Sequence, residues 1–275
     1  MTLDVKAKIQ THCWIITLNP SSESVRRLLT DLAAQGVTAE VIAGVDGRKG
    51  MPSLQPGERL ARAKMRWRHL CELNASEVGC YLAHLRALRQ AYEAGVDRIC
   101  ILEDDVELEP AFAAVIAELE QLPEDVEMIR LMALKVRKRK IVKTLADGVH
   151  QLVRPERGCL GTQGYLINRA GMEKVLRHGS TIFEPIDKLY DHFWEYGLRV
   201  FGVEPHVLWE IAGTSAVIKS NVARARVAPW LYWFYPVGKF FRSVRRHWHL
   251  RRHRDQFYPA EKPGSRPGQT ERMKL

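Results

Sequence analysis

The sequence predicts an α/β fold, a mainly parallel sheet with helices on both faces, followed by a basic and aromatic C-terminal segment. Short runs such as Cys13-Trp14-Ile15-Ile16-Thr17-Leu18 and Arg98-Ile99-Cys100-Ile101-Leu102 are apolar without alternation, as in strands buried on both faces. Segments of helical periodicity separate such runs, and strand–helix–strand order at this spacing implies crossovers between parallel strands. The third observation is an asymmetry of charge. Residues 224–275 hold 13 Lys+Arg against 3 Asp+Glu and 10 of the 23 aromatics, so the whole formal net charge of +10 resides there. The 223 residues before it are balanced, which divides the chain into a body (1–223) and a C-terminal segment (224–275).

Each element follows in turn. Asn19-Pro20-Ser21-Ser22 ends the first strand, Ser24 is the candidate cap of a helix reaching about Gln35, and Gly36 stands where a C-cap belongs. Glu40-Val41-Ile42-Ala43 is the second strand, ending in Gly44-Val45-Asp46-Gly47. Residues 48–73, rich in Arg, Lys, Gly and Pro, read as a loop with one short helix. Asn74 and Glu77 have capping-box spacing, and Val78, Tyr81, Leu82, Leu85, Leu88 and Tyr92 carry a helix to about Ala94. After the strand at 98–102, a helix over Pro110–Leu122 and a strand over Met128–Met132 continue the pattern. Lys135–Val153 reads as a basic hairpin, Leu160–Ile167 as a strand with two glycines, Asn168–His178 and Ile186–Tyr196 as helices, and Arg199–Val203 as a last strand. Pro229 and Pro236 predict that no long helix forms in the C-terminal segment.

With 275 residues and 46% hydrophobic composition, the chain can bury a core unaided, which excludes disordered, collagen-like and low-complexity classes. The five cysteines are scattered with no CxxC pair, so neither a disulfide framework nor a structural zinc site is expected, only reduced thiols. Met1–Gln10 lacks the apolar core of a signal peptide. The longest uncharged run of the tail, Val227–Gly238, is too short for the roughly 20 residues of a membrane-spanning helix. The sequence thus predicts a cytoplasmic protein that is not integral to a membrane.

Glu103-Asp104-Asp105 is the most informative stretch. Three consecutive carboxylates at the end of a buried strand repel one another and are costly to desolvate. At the carboxyl edge of a parallel sheet they lie where ligands bind, and their hard oxygens suit Mg²⁺ or Mn²⁺. The competing reading is a solvated acidic turn before the next helix. Glu77 and His84, seven apart, share one helix face: either a polar edge of a pocket or a capping Glu and a satisfied buried His. Gly79 permits close backbone approach at a helix cost of about 1 kcal/mol, and Cys80 is read as packing. Asp187 and Asp191 fall in a late helix, where Asp187 is either a catalytic base or a first-turn Asp favoured by the helix dipole.

Five blocks in order carry a family resemblance: Ile15-Ile16-Thr17-Leu18-Asn19 with Arg26-Arg27; Ala43-Gly44-Val45-Asp46-Gly47; Ser76-Glu77-Val78-Gly79-Cys80-Tyr81-Leu82-Ala83-His84; Ile101-Leu102-Glu103-Asp104-Asp105-Val106; and Gly161-Thr162-Gln163-Gly164-Tyr165-Leu166-Ile167. Over roughly residues 12–210 the chain resembles glycosyltransferase family 25, the bacterial lipooligosaccharide galactosyltransferases and their collagen-modifying relatives. The resemblance implies a GT-A-like, Rossmann-like fold that takes a sugar, galactose or another hexose, from a UDP-sugar with inversion. It implies a D-x-D-like metal motif at Glu103-Asp104-Asp105, with Asp105 and Glu103 toward Mn²⁺ or Mg²⁺ and Asp104 toward the ribose. Asn19, Asp46, Glu77 and His84, on its other blocks, are implied on the donor side. Asp187 is the implied base, with Asp191 second, and a lipooligosaccharide or LPS core is the implied acceptor. A nucleotidyltransferase, which would need a Gly-rich loop after the first strand, and a non-catalytic glycan-binding protein of the same fold are the alternatives.

Lys135, Arg137, Lys138, Arg139, Lys140 and Lys143 form either a solvated hairpin or a contact for an anionic acceptor. In the tail, aromatics from Trp230 to Trp248 interleave with Arg242, Arg245, Arg246, Arg251, Arg252 and Arg254. Rings favour the headgroup level and cations an anionic surface, so the preferred reading is peripheral attachment to the inner face of the cytoplasmic membrane. Docking onto the body and binding of nucleic acid are the rivals, and nucleic acid is not expected.

Overall fold

The computed structural model describes residues 12–135, 137–211 and 228–262. The reading of Met1–Gln10, the boundary at 223/224 and both ends of the tail lie outside the described residues. Eight strands form one sheet: β1 (Cys13–Thr17), β2 (Ala39–Ala43), β4 (Arg98–Glu103), β6 (Met128–Arg130), β7 (Arg139–Thr144), β8 (Gln151–Pro155), β9 (Gly164–Asn168) and β11 (Val200–Glu204), in the order β2-β1-β4-β9-β6-β11-β8-β7. Most strands run one way, as the sequence predicts; β9 and β8 run against them. No helix separates β7, β8 and β9, so nothing there imposes the crossover that makes strands parallel.

Five helices cover the two faces of the sheet. α1 (Glu23–Ala34) and α4 (Phe112–Glu120) lie on one face, and α3 (Ala75–Glu93), α5 (Arg169–Gly179) and α6 (Ile186–Asp191) on the other. The unbroken apolar runs follow from this. In β1, Cys13 and Ile15 enter the α1/α4 layer while Trp14 and Ile16 enter the α3 layer; in β4, Cys100 and Leu102 oppose Ile99 and Ile101 in the same way. The cysteines are free, and Cys13 stands beside Cys100 in register. α3 begins with the expected box: Asn74 Oδ1 accepts from the Glu77 N–H (2.9 Å) and Glu77 Oε2 from the Asn74 N–H (2.8 Å).

Several elements depart from the sequence reading. Residues 48–73 hold the expected short helix, α2 (Arg62–His69), but also β3 (Arg59–Leu60), which pairs with β10 (Thr181–Ile182). β5 (Val106–Leu108) pairs with β12 (Leu208–Glu210) just beyond the acidic triplet. β9 starts at Gly164 because Leu160 and Gly161 adopt left-handed conformations (φ 60° and 80°). The helix at 186 stops at Asp191 and is followed by a tighter turn over Phe193–Glu195. The basic run is largely structural. Arg139 is buried against Glu204 (2.8 Å), Lys143 pairs with Glu118 (2.7 Å) and Lys140 reaches the Asp255 carbonyl (2.5 Å), along an edge strand where charge discourages strand addition.

The C-terminal segment forms the long α7 (Trp230–Arg252), which the two prolines do not prevent, and α8 (Arg254–Phe257). Pro229 occupies the N-cap, and Pro236 stands on an exposed side of the helix. α7 lies along α2, with Leu231 and Leu250 buried and Arg242 reaching the Arg68 carbonyl (3.5 Å). α8 inserts Phe257, fully buried, into the α3 core layer, and Arg154 lies between the Phe201 and Phe257 rings. Beneath α2, buried Glu184 receives Arg68 (2.9 Å) and His192 (2.8 Å), which keep it ionised despite its burial.

Candidate active site

The chain reverses its direction of winding at β1. It proceeds through α1 to β2 on one side, and later places β4 on the other. A crevice opens at the carboxyl ends of strands at such a switch point. Here it is a cleft of about 380 Å³ lined by the ends of β1 (Ile16–Asn19), β2 (Gly44, Val45, Gly47, Arg48) and β4 (Glu103–Asp105), with Ser76, Cys80, Ala83 and His84 of α3 as its wall. A larger open groove between α2 and α5 contains none of the acidic triplet.

The three carboxylates have unequal surroundings. Asp104 accepts a hydrogen bond from Thr17 Oγ1. Burial alone would push Glu103 up, but His84 Nε2 (3.2 Å) and Thr162 Oγ1 donate to it and hold its carboxyl below the usual range. Burial pushes Asp105 up to about 7, helped by the charges of Glu103, Glu210 and Asp104. Asp105 Oδ1 is buried with no hydrogen-bond partner among the described residues. An orphaned, desolvated carboxylate oxygen beside two further carboxylates is a hard-oxygen donor set, and it fits a cation of the Mg²⁺ or Mn²⁺ kind.

His84 is the hub of a directional chain. Tyr190 donates to the Tyr165 hydroxyl (3.1 Å), which bonds His84 Nδ1 (3.0 Å), leaving Nε2–H for Glu103. Cys80, His84 and Glu103 also bring one candidate ligand atom each within 4.8 Å of one another. That set does not suit a metal. Both imidazole nitrogens are engaged, and burial, with the charges of Glu103, Asp187, Asp105 and Glu77, drives the Cys80 thiol well above its ordinary value.

The wall is held by close backbone approach. A Cβ on Gly79 would lie 2.5 Å from the Val45 carbonyl oxygen, and one on Gly47 only 1.9 Å from that of Ala75. The loop carrying Asp46 is therefore pressed onto the first turns of α3. Arg48 donates three times to Asp46, twice from its guanidinium and once from its backbone N–H (all 2.9 Å), and holds its carboxyl down at about 2. Arg48 lines the cleft and Asp46 does not. Asn19 lines it too, its own N–H donating to Thr17 Oγ1 (3.0 Å). Glu77 closes the capping box and is not a lining residue.

The two late aspartates differ. Asp187, in the first turn of α6, is partly exposed; it accepts the Lys188 N–H (2.8 Å), and its charge reaches Cys80 at the cleft wall. Asp191 is buried, accepts the Leu160 N–H (3.2 Å) and stands 3.9 Å from Arg130; burial and the charge of Asp187 raise its pKa. The sequence reading did not single out Thr17, Thr162, Tyr165 or Arg48. The first three sit inside quoted blocks, while Glu210, which accepts from Gln163 Nε2 (3.1 Å), carries no local signal.

Residues 10–190 match the sequence profile of glycosyltransferase family 25 (LPS biosynthesis protein). Procollagen galactosyltransferase 1 of Danio rerio is 25% identical over 216 residues, 71% of this chain and 35% of that protein. A probable inactive glycosyltransferase 25 family member 3 of Bos taurus is 27% identical over 219 residues, 70% of this chain and 35% of that protein. The chain thus spans about a third of the length of these relatives. A solved glycosyltransferase involved in glycosylation of the major capsid of PBCV-1 superimposes with a TM-score of 0.40 at 10% identity, covering 74% of this chain and 94% of that one.

Proposed function

The chain belongs to glycosyltransferase family 25, and from that premise we propose that it transfers a hexose, galactose first among them, from a UDP-sugar to a glycan acceptor with inversion. The single observation that carries this reading is the buried, unpartnered Asp105 Oδ1 in a cleft at the switch point of the sheet. Bound there, Mn²⁺ or Mg²⁺ would neutralise the diphosphate of the departing nucleotide. Asp105 and Glu103 would hold the cation. Asp104, oriented by Thr17, accepts from the ribose hydroxyls. Asn19 and the Asp46–Arg48 turn border the nucleotide, and Glu77 acts by fixing the first turn of α3. His84 keeps Glu103 ionised and aimed.

Asp187 takes the proton of the acceptor hydroxyl as its oxygen bonds to the anomeric carbon and the bond to the phosphate oxygen breaks. It is preferred to Asp191 because it is partly open, whereas Asp191 is committed to Leu160 and faces Arg130. The family description supports a lipooligosaccharide or LPS core as acceptor. An acceptor on a bacterial lipid assigns the chain to the inner face of the cytoplasmic membrane as a peripheral protein. Among the described residues no helix is long and apolar enough to cross a membrane.

The test is release of UDP from a panel of UDP-sugars, with Mn²⁺ or with chelator, using LPS core oligosaccharide and a procollagen peptide as acceptors. Mn²⁺-dependent transfer to the core oligosaccharide is expected. Turnover in excess chelator refutes the metal, and transfer to the peptide alone refutes the acceptor. Relatives named inactive favour a second reading, a glycan-binding protein without turnover; binding of donor with no transfer to any acceptor would establish it.

A further inference from the structure

Helix α7 is amphipathic in the reverse of the usual sense. A helix on a globular body turns its apolar stripe toward the core. Here Trp230, Trp233, Val237, Phe240, Val244 and Trp248 recur at spacings of three and four and are all exposed, Trp233 by 83%, Phe240 by 64% and Trp248 by 61%. The body takes the opposite side of the helix, where Leu231 and Leu250 are buried and Arg242 reaches the Arg68 carbonyl; at the edge of the ridge Phe234, against the Trp230 ring, stacks on Trp67 of α2 (6.2 Å). The orientation of the ridge is therefore fixed by the fold. From Trp230 to Trp248 it extends about 27 Å at 1.5 Å per residue.

We infer that this outward ridge is a docking surface for an anionic lipid bilayer, with α7 lying in the plane of the interface and the body held above it. Charge complementarity selects this occupant. From Trp230 to Phe257 the only acid is Asp255, against Lys239 and six arginines. Exposed Arg245, Arg251 and Arg252 stand beside the rings, and Arg252 lies over Trp248 (5.3 Å). Rings seated at headgroup level with cations reaching phosphate are the pattern of an interfacial helix. The inference deepens the reading of a membrane-borne acceptor and rests on it for the choice of membrane. Its test needs neither donor nor acceptor, so either can fail without the other.

The experiment is flotation of the full-length protein with phosphatidylcholine vesicles containing about 30 mol% phosphatidylglycerol, whose negative surface potential attracts basic segments, and with phosphatidylcholine alone. Binding to the anionic vesicles that weakens as salt rises is expected. The variant Trp233→Ser/Phe240→Ser/Phe241→Ser alters exposed side chains only. It should lose binding by about a hundredfold or more while keeping its melting temperature. Absence of binding to anionic vesicles overturns the proposal, as does a variant that binds as well as the parent. A dimer that the triple variant converts to monomer overturns it also, since a second copy then covers the ridge.

Discussion

Replacing Asp105 by Asn should abolish transfer and at the same time stabilise the metal-free protein. The folded state holds the proton of Asp105 up to about pH 7, against 3.8 for an ordinary Asp. Because the folded value is raised, the stability that the protonated group contributes is complete below about pH 4 and is lost as pH rises through about 7. Three pH units at about 1.4 kcal/mol each give about 4 kcal/mol, and partial contact with solvent reduces this to about 2–3 kcal/mol. Asparagine, with no charge to desolvate, escapes that loss. At about 2–4 °C per kcal/mol for a body of this size, the variant should melt about 5–10 °C above the parent at pH 8 in chelator.

The gap should close toward pH 4, where both side chains are neutral. Mn²⁺ should raise the melting temperature of the parent, more strongly at pH 8 than at pH 6 because binding releases the proton, and leave the variant unmoved. Melting curves from pH 4.5 to 8.5, with chelator and with Mn²⁺, read all of this beside a transfer assay. A gap that does not vary with pH, an equal response of both proteins to Mn²⁺, or a variant that still turns over would refute the reasoning.

Asp187→Asn should depress kcat about a hundredfold or more with little change in donor KM; if Asp191→Asn does so instead while its melting temperature is unchanged, the roles are exchanged. Gly79→Ala drives a methyl toward the Val45 carbonyl at 2.5 Å. It should cost about 1–3 kcal/mol in a melt and raise donor KM by displacing the Asp46 loop, and an unchanged KM would show that the loop does not border the nucleotide. Phe257→Ala removes a fully buried ring and should cost about 3–5 kcal/mol by thermal unfolding. Truncation after residue 223 should destabilise the body for the same reason, and a truncated body that melts like the parent would show that α8 contributes nothing to the core.

The strands buried on both faces and the capping box were legible because each is a local pattern: Cys13–Thr17 and Arg98–Leu102 are apolar on both parities, and Asn74 and Glu77 have a fixed offset. Two-residue strands such as β3 and β10 have no period to detect; they exist because α2 and α5 bring Arg59 and Thr181 together. α7 was hidden by Pro236, whose intrinsic penalty of about 3 kcal/mol opposes a helix in isolation. Packing against α2 and exposure on the proline side override it. The direction of β9 depends on the absence of a helix between it and β7, a property of connection rather than of its own residues. Which side of the tail would meet the body was likewise invisible, since aromatics and arginines recur around the whole helix.

The acidic triplet shows most clearly what sequence alone leaves open. Glu103, Asp104 and Asp105 are adjacent and chemically alike, and spacing gives no reason to single one out. The fold separates them by distributing partners. β1 delivers the Thr17 hydroxyl to Asp104, and α3 and the turn before β9 deliver His84 and Thr162 to Glu103. Asp105, between the end of β4 and the β5–β12 pair, faces the charges of Glu103, Glu210 and Asp104, and its Oδ1 finds no donor among the described residues. A buried carboxylate oxygen left without a donor costs stability, and such a cost persists in a folded protein where a ligand can recover it. The two satisfied carboxylates make the site rigid, and the unsatisfied oxygen would give the proposed cation its place. A fold that had supplied Asp105 Oδ1 with a donor of its own would be more stable and would leave that oxygen nothing to offer a cation.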